Sequence, residues 1–141
     1  MGLEKAMLNG EKTGWPDFGI TVKEAGTLRN IRFDRNEQAM LDDISQILKN
    51  IYQTRLLGIR LVGSRARGTH QPLSDWDFLV LLDQCDYSVE VPKLTDLCYE
   101  MTLKHGLGAF SFSPLSKEQF LGLDKKYPNI CEEFRRDAII I

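Results

Sequence analysis

Leu61-Val-Gly-Ser-Arg-Ala-Arg-Gly-Thr-His-Gln-Pro-Leu-Ser-Asp-Trp-Asp-Phe-Leu-Val80 decides how this chain is read. A largely apolar run, Ile59 to Val62, ends in Gly63-Ser64, and ten residues later Asp75-Trp76-Asp77 opens a second run, Phe78 to Leu82. Both runs are short and bounded by turn signals, which predicts two strands. Residues two apart on a strand share a face, so Asp75 and Asp77 point one way and Trp76 the other. Two carboxylates held that close repel each other unless a cation neutralises them, and their oxygens suit a hard ion such as Mg²⁺. Gly63 permits close backbone approach, and Ser64 begins the next turn, where exposed N–H groups attract phosphate. A carboxylate pair beside a phosphate cradle is equipment for phosphoryl or nucleotidyl transfer.

Working outward, 141 residues suit one domain with a real core, and the 43% apolar fraction is that of a globular chain. The net charge of −2 gives no basic footprint for nucleic acid. Cys85, Cys98 and Cys131 are odd in number and widely spaced, and His70 and His105 join no ligand cluster. Free thiols in a reducing cytoplasm are the reading, without zinc or disulfides. Met1 to Leu8 holds too short an apolar run for a secretory signal, and no stretch is long enough to span a membrane.

Residues 1–17 read as a short helix or docked arm, and Asp17 to Phe33 as a β-hairpin: Phe18, Ile20 and Val22 alternate, Glu24 to Thr27 turn, and Leu28 to Phe33 return. Asp34 followed by Glu37 is a capping box, and Met40, Leu41, Ile44, Ile47, Leu48 and Ile51 after it fall at helical spacing. Beyond the second strand, Pro92 predicts the first turn of a helix with Leu94, Leu97, Cys98 and Met101 on its buried stripe, stopped at Gly106. Gly108 to Ser113 predicts a third core strand, with Phe110 and Phe112 on one face and Ser111 and Ser113 on the other. Ser116 to Gln119 is a second capping box, Asn129 to Arg136 another short helix, and Ala138 to Ile141 a buried terminal strand. The fold class is α/β (α+β): one mixed sheet with helices mainly on one face, plus an N-terminal hairpin.

Gly-Ser, ten residues, then Asp-x-Asp resembles the signature of the DNA polymerase beta-like nucleotidyltransferase superfamily. Gly63-Ser-Arg-Ala-Arg-Gly68 with Ser74-Asp-Trp-Asp77 looks most like its minimal, single-domain members. The resemblance implies a transferase domain at 35–141, with 1–34 as an added arm and hairpin. It implies Mg²⁺ (or Mn²⁺) on Asp75 and Asp77, and an NTP, first of all ATP, whose outer phosphates meet Gly63, Ser64 and Arg67. Arg65 and His70 are weaker candidates, and Arg65 is expected to be solvated. It implies transfer of a nucleoside monophosphate to an acceptor hydroxyl on a protein side chain, a small molecule or an RNA end, a partner protein such as a helical ribonuclease toxin being one such acceptor. The sequence departs from the family at one point. Full enzymes carry a third carboxylate on the next core strand, and here Ser111 and Ser113 occupy that face. A catalytically weakened nucleotide-binding or interaction module is therefore the alternative.

Overall fold

The computed structural model describes residues 17–141, so the expectation for the arm before them lies outside the described residues. The chain enters as β1 (Ile20–Thr21) and helix α1 (Val22–Leu28), then the long helix α2 (Arg35–Tyr52) and a 3-10 turn (Gln53–Arg55). Strand β2 (Leu56–Val62), the single-turn helix α3 (Ser64–Arg67) and strand β3 (Trp76–Leu82) follow. Helix α4 (Tyr87–His105), strand β4 (Phe110–Ser116), helices α5 (Lys117–Lys126) and α6 (Pro128–Asp137), and strand β5 (Ile139–Ile140) complete it.

The sheet order is β1-β5-β2-β3-β4. β2 runs antiparallel to β3 and β5, whereas β3 and β4 are parallel, as are β1 and β5. Alternation along β3 divides the core. Trp76, Phe78, Val80 and Leu82 join the larger cluster with Met40, Leu41, Ile44 and Leu48 of α2, Leu94, Leu97 and Met101 of α4, and Phe110 and Phe112 of β4. Leu79 and Leu81 face the other way, onto Leu115, Phe120 of α5 and Cys131 of α6. The two long helices thus share one face of a mixed sheet, and two short ones cover part of the other.

The hairpin expected over Asp17 to Phe33 is a correction. Only Ile20–Thr21 is extended, paired in parallel with Ile139–Ile140. Thr21 then caps α1: its hydroxyl accepts from the Glu24 N–H at 3.2 Å, and Glu24 Oε2 accepts from the Thr21 N–H at 2.8 Å. That reciprocal box satisfies two backbone donors and turns the chain into a helix where alternation suggested a strand. Ala25 of that helix is fully buried in the core. The boxes expected at Asp34 and Ser116 are present. Pro92 lies inside α4, not in its first turn. The helix starts five residues earlier, because the Asp86 carboxylate accepts from the Ser88 N–H at 3.0 Å. Gly106 ends α4 at φ 64° as expected, and Ile51 is exposed.

β4 forms one border of the sheet. The Trp76 N–H donates to the Ala109 carbonyl at 2.9 Å. Alternation then turns the backbone groups of Ser111 and Ser113 toward β3, and those of Phe110, Phe112 and Pro114 away from the sheet. Pro114, which has no N–H, sits where no ladder bond is lost. Burial raises the pKa of the Cys98 thiol.

Candidate active site

Antiparallel pairing brings the last residue of β2 to the first residues of β3: Val62 is opposite Asp77. Gly63 therefore lies against the Asp77 carboxylate. A Cβ on Gly63 would sit 2.7 Å from Asp77 Oδ2, and the residue's φ is +77°. Both facts demand glycine, the first because no side-chain atom fits and the second because the backbone is left-handed. The motif glycine thus has a steric task toward the carboxylate as well as its expected place in the phosphate cradle.

Helix α3 springs directly from Gly63. The Ala66 and Arg67 N–H groups both return to the Gly63 carbonyl at 3.1 Å, and the turn closes at Gly68 with φ 78°. The Ser64 and Arg65 N–H groups precede the first intrahelical bond. Ser64 is half-buried and Arg67 exposed.

The two carboxylates are not equivalent. Asp75 is exposed just ahead of β3, and Asp77 is partly buried one step inside it. Burial raises the Asp77 pKa above the usual aspartate range, and the Asp75 charge adds to the rise, while the Arg67 cation pulls the other way. Among the described residues no cation lies within ion-pair distance of Asp75 or Asp77.

Parallel pairing sets Ser111 of β4 directly in register with Asp77, and Ser113 with Leu79. Both serines are exposed on the carboxylate face, where alternation in the sequence placed them. Among the described residues no group of three or more His, Cys, Asp or Glu is arranged to hold a metal ion. Two carboxylates with free oxygens fit one hard cation, and the position beside them that could complete a second site carries a hydroxyl.

Sequence reasoning mistook Arg65. It is only 4% exposed. Its guanidinium lies 4.3 Å from the centre of the Trp76 ring and donates to the carbonyls of Ser74 and Pro72. His70 is exposed on the loop. Asp137, at the end of α6, was not singled out. The pairing of Leu61 with Ile139 brings it to the same end of the sheet as Gly63. The neighbouring Arg136 guanidinium, bonded at 2.9 Å, holds the Asp137 pKa down, and Arg67 adds to that effect. Nothing in the sequence signals this proximity, since it depends on how the last strand pairs.

A family described as the nucleotidyltransferase domain matches residues 41–133. The chain is also 35% identical over 72 residues to a Methanocaldococcus jannaschii protein whose name describes it as a protein adenylyltransferase. The alignment covers 51% of this chain and 67% of that relative.

Proposed function

Since the chain belongs to the nucleotidyltransferase domain family, we propose that it moves a nucleoside monophosphate from an NTP, first of all ATP, onto a hydroxyl of a partner protein. The observation that carries this reading is the Asp77 carboxylate lying over the bare Cα of Gly63, with Asp75 beside it at the mouth of the sheet. Asp75 and Asp77 would hold a Mg²⁺ or Mn²⁺ ion, which would supply charge neutralisation for the phosphates. The Gly63 backbone and Ser64 take up the outer phosphates, and Arg67 adds a cation near Asp77. The acceptor oxygen bonds to the α-phosphorus as the bond to pyrophosphate breaks. Little covalent help is required for such a step, so positioning by these residues is the protein's main contribution.

The choice of a protein acceptor draws on the name of the archaeal relative. A helical ribonuclease toxin is one such acceptor. In this reading residues 35–141 are the transferase domain, residues 1–34 an extension, and the setting is the cytoplasm. No helix among the described residues is long and apolar enough to cross a membrane.

Calorimetric titration of ATP with Mg²⁺ and with EDTA tests the reading. Binding that needs Mg²⁺, and whose metal-dependent part disappears in Asp77→Asn, is expected. Equal affinities in Mg²⁺ and EDTA count against it.

One observation favours a second reading, a nucleotide-binding module with weak turnover. Ser111 stands in register with Asp77 where an acid would complete a second metal site, and a serine hydroxyl is a poor base near neutral pH. Under that reading the wild type binds one Mn²⁺ with NTP, and Ser111→Asp gains a second. Two ions and brisk transfer by the wild type exclude it.

A further inference from the structure

The loop between the two halves of the motif is bare on its outside, with Leu73 at its tip 86% exposed. On its inside the Arg65 side chain pins it. Arg65 Nη2 donates to the Ser74 carbonyl at 3.1 Å and to the Pro72 carbonyl at 3.1 Å, and Nε reaches the Ser74 carbonyl at 3.3 Å. The same guanidinium lies over the face of Trp76, the residue between the two aspartates. Glu37 Oε2 approaches it at 3.6 Å. Burying a cation is costly unless it is paired and bonded, and here a carboxylate, an aromatic face and two carbonyls meet that need. Trp76 is itself fixed, its indole N–H donating to the Leu107 carbonyl at 3.0 Å.

We propose that Arg65 is a positioning residue for the carboxylate pair: it ties the turn that carries Ser64 to the segment Ser74–Trp76 and so sets where Asp75 and Asp77 stand relative to the phosphate cradle. The argument is one of reach and shape. The Ser74 carbonyl is joined directly to the Asp75 nitrogen, and Trp76 separates Asp75 from Asp77, so a group holding both restrains the backbone of the whole pair. The planar fork of arginine can bridge two carbonyls while its face lies on an indole. A lysine keeps the charge but cannot do both. The ten-residue interval of the motif is thereby closed by a strut from its first residue, Arg65, to Pro72 and Ser74 near its end.

This proposal rests on the reading of Asp75 and Asp77 as metal ligands, and its test separates the two. Mn²⁺ binding is measured by paramagnetic titration for wild type, Asp77→Asn, Arg65→Lys and Arg65→Gln, each well below its melting temperature. Partners that orient ligands without touching the metal typically account for about 10- to 100-fold in affinity. A loss of at least about tenfold in both Arg65 variants is therefore expected, with lysine no better than glutamine by more than a few-fold. A lowered melting temperature with unchanged Mn²⁺ affinity assigns Arg65 to stability alone and overturns the proposal. If Asp77→Asn binds Mn²⁺ as well as wild type, the metal reading itself fails and takes the proposal with it. Should neither Arg65 variant fold, hydrogen exchange on the wild type decides. Protection of the Gln71, Ser74 and Trp76 amides, which donate within the segment or to Ala109 just ahead of β4, supports the strut. Exchange at the rate of an open loop overturns it.

Discussion

The two ends of β3 carry acids in opposite circumstances. At the end that leads into α4, Glu90 is 2% exposed. Its Oε2 accepts from Arg55 at 2.7 Å, and Lys93 lies 3.6 Å from its other oxygen. Burial alone would raise the Glu90 pKa, but the Arg55 hydrogen bond and the two nearby cations bring it below the ordinary value. At the motif end, Asp77 is less buried and yet its pKa is raised, because burial and Asp75 act on it without an ion-paired cation among the described residues. A carboxylate that serves the fold is neutralised from within the chain. One that is left with its charge uncompensated, beside a second acid, suits a cation that arrives with a ligand.

The largest effect is expected from Gly63→Ala. The new methyl meets Asp77 Oδ2 at 2.7 Å on a left-handed backbone, which costs about 1–3 kcal/mol of strain and displaces the carboxylate. Mn²⁺ affinity should fall by more than about tenfold, as measured by paramagnetic titration. Wild-type affinity in a folded Gly63→Ala protein would remove the steric link between glycine and acid.

Arg55→Ala probes the other end. Arg55 is 43% exposed on its side chain, so its loss exposes little new apolar surface but leaves Glu90 buried without its hydrogen bond. A loss of about 2 kcal/mol is expected, read from urea unfolding, with Mn²⁺ binding unaltered. A change in metal affinity would mean that the two ends are coupled.

The smallest effect sharpens the contrast through pH. A carboxyl whose folded pKa lies above its unfolded value favours the fold when protonated. Its contribution is present below the unfolded pKa and is lost as pH rises through the folded one. Metal-free Asp77→Asn should therefore melt higher than wild type at neutral pH, and the difference should vanish as pH drops below the ordinary aspartate range. Calorimetric scans in EDTA across that range check this. An asparagine variant that melts lower at neutral pH would show Asp77 to be stabilised by a partner after all.

The parts of the molecule legible in the sequence are those that depend on neighbours a few residues apart. Asp34 with Glu37, and Ser116 with Gln119, announce helix starts because a capping box is complete within four residues. The same signal stands at Thr21-Val-Lys-Glu24, and it was masked by the alternation of Phe18, Ile20 and Val22, which could as well belong to a strand. The facing of Ser111 and Ser113 followed from period two alone. What could not be read was the destination of long side chains. Arg65 looks like any loop arginine until the chain has folded back to set Trp76 and two carbonyls around it. Asp137 approaches the motif only because β5 pairs with β2.

Pro114 has a consequence for how this protein can meet others. At the outer edge of β4 the proline has no donor to offer, so the row of outward N–H groups is broken there. At the opposite edge β1 is two residues long. Among the described residues, one border is thus interrupted by a proline and the other is too short for an extended ladder. The sheet, among the described residues, offers a foreign strand a poor template at either border, which disfavours edge-to-edge stacking of copies.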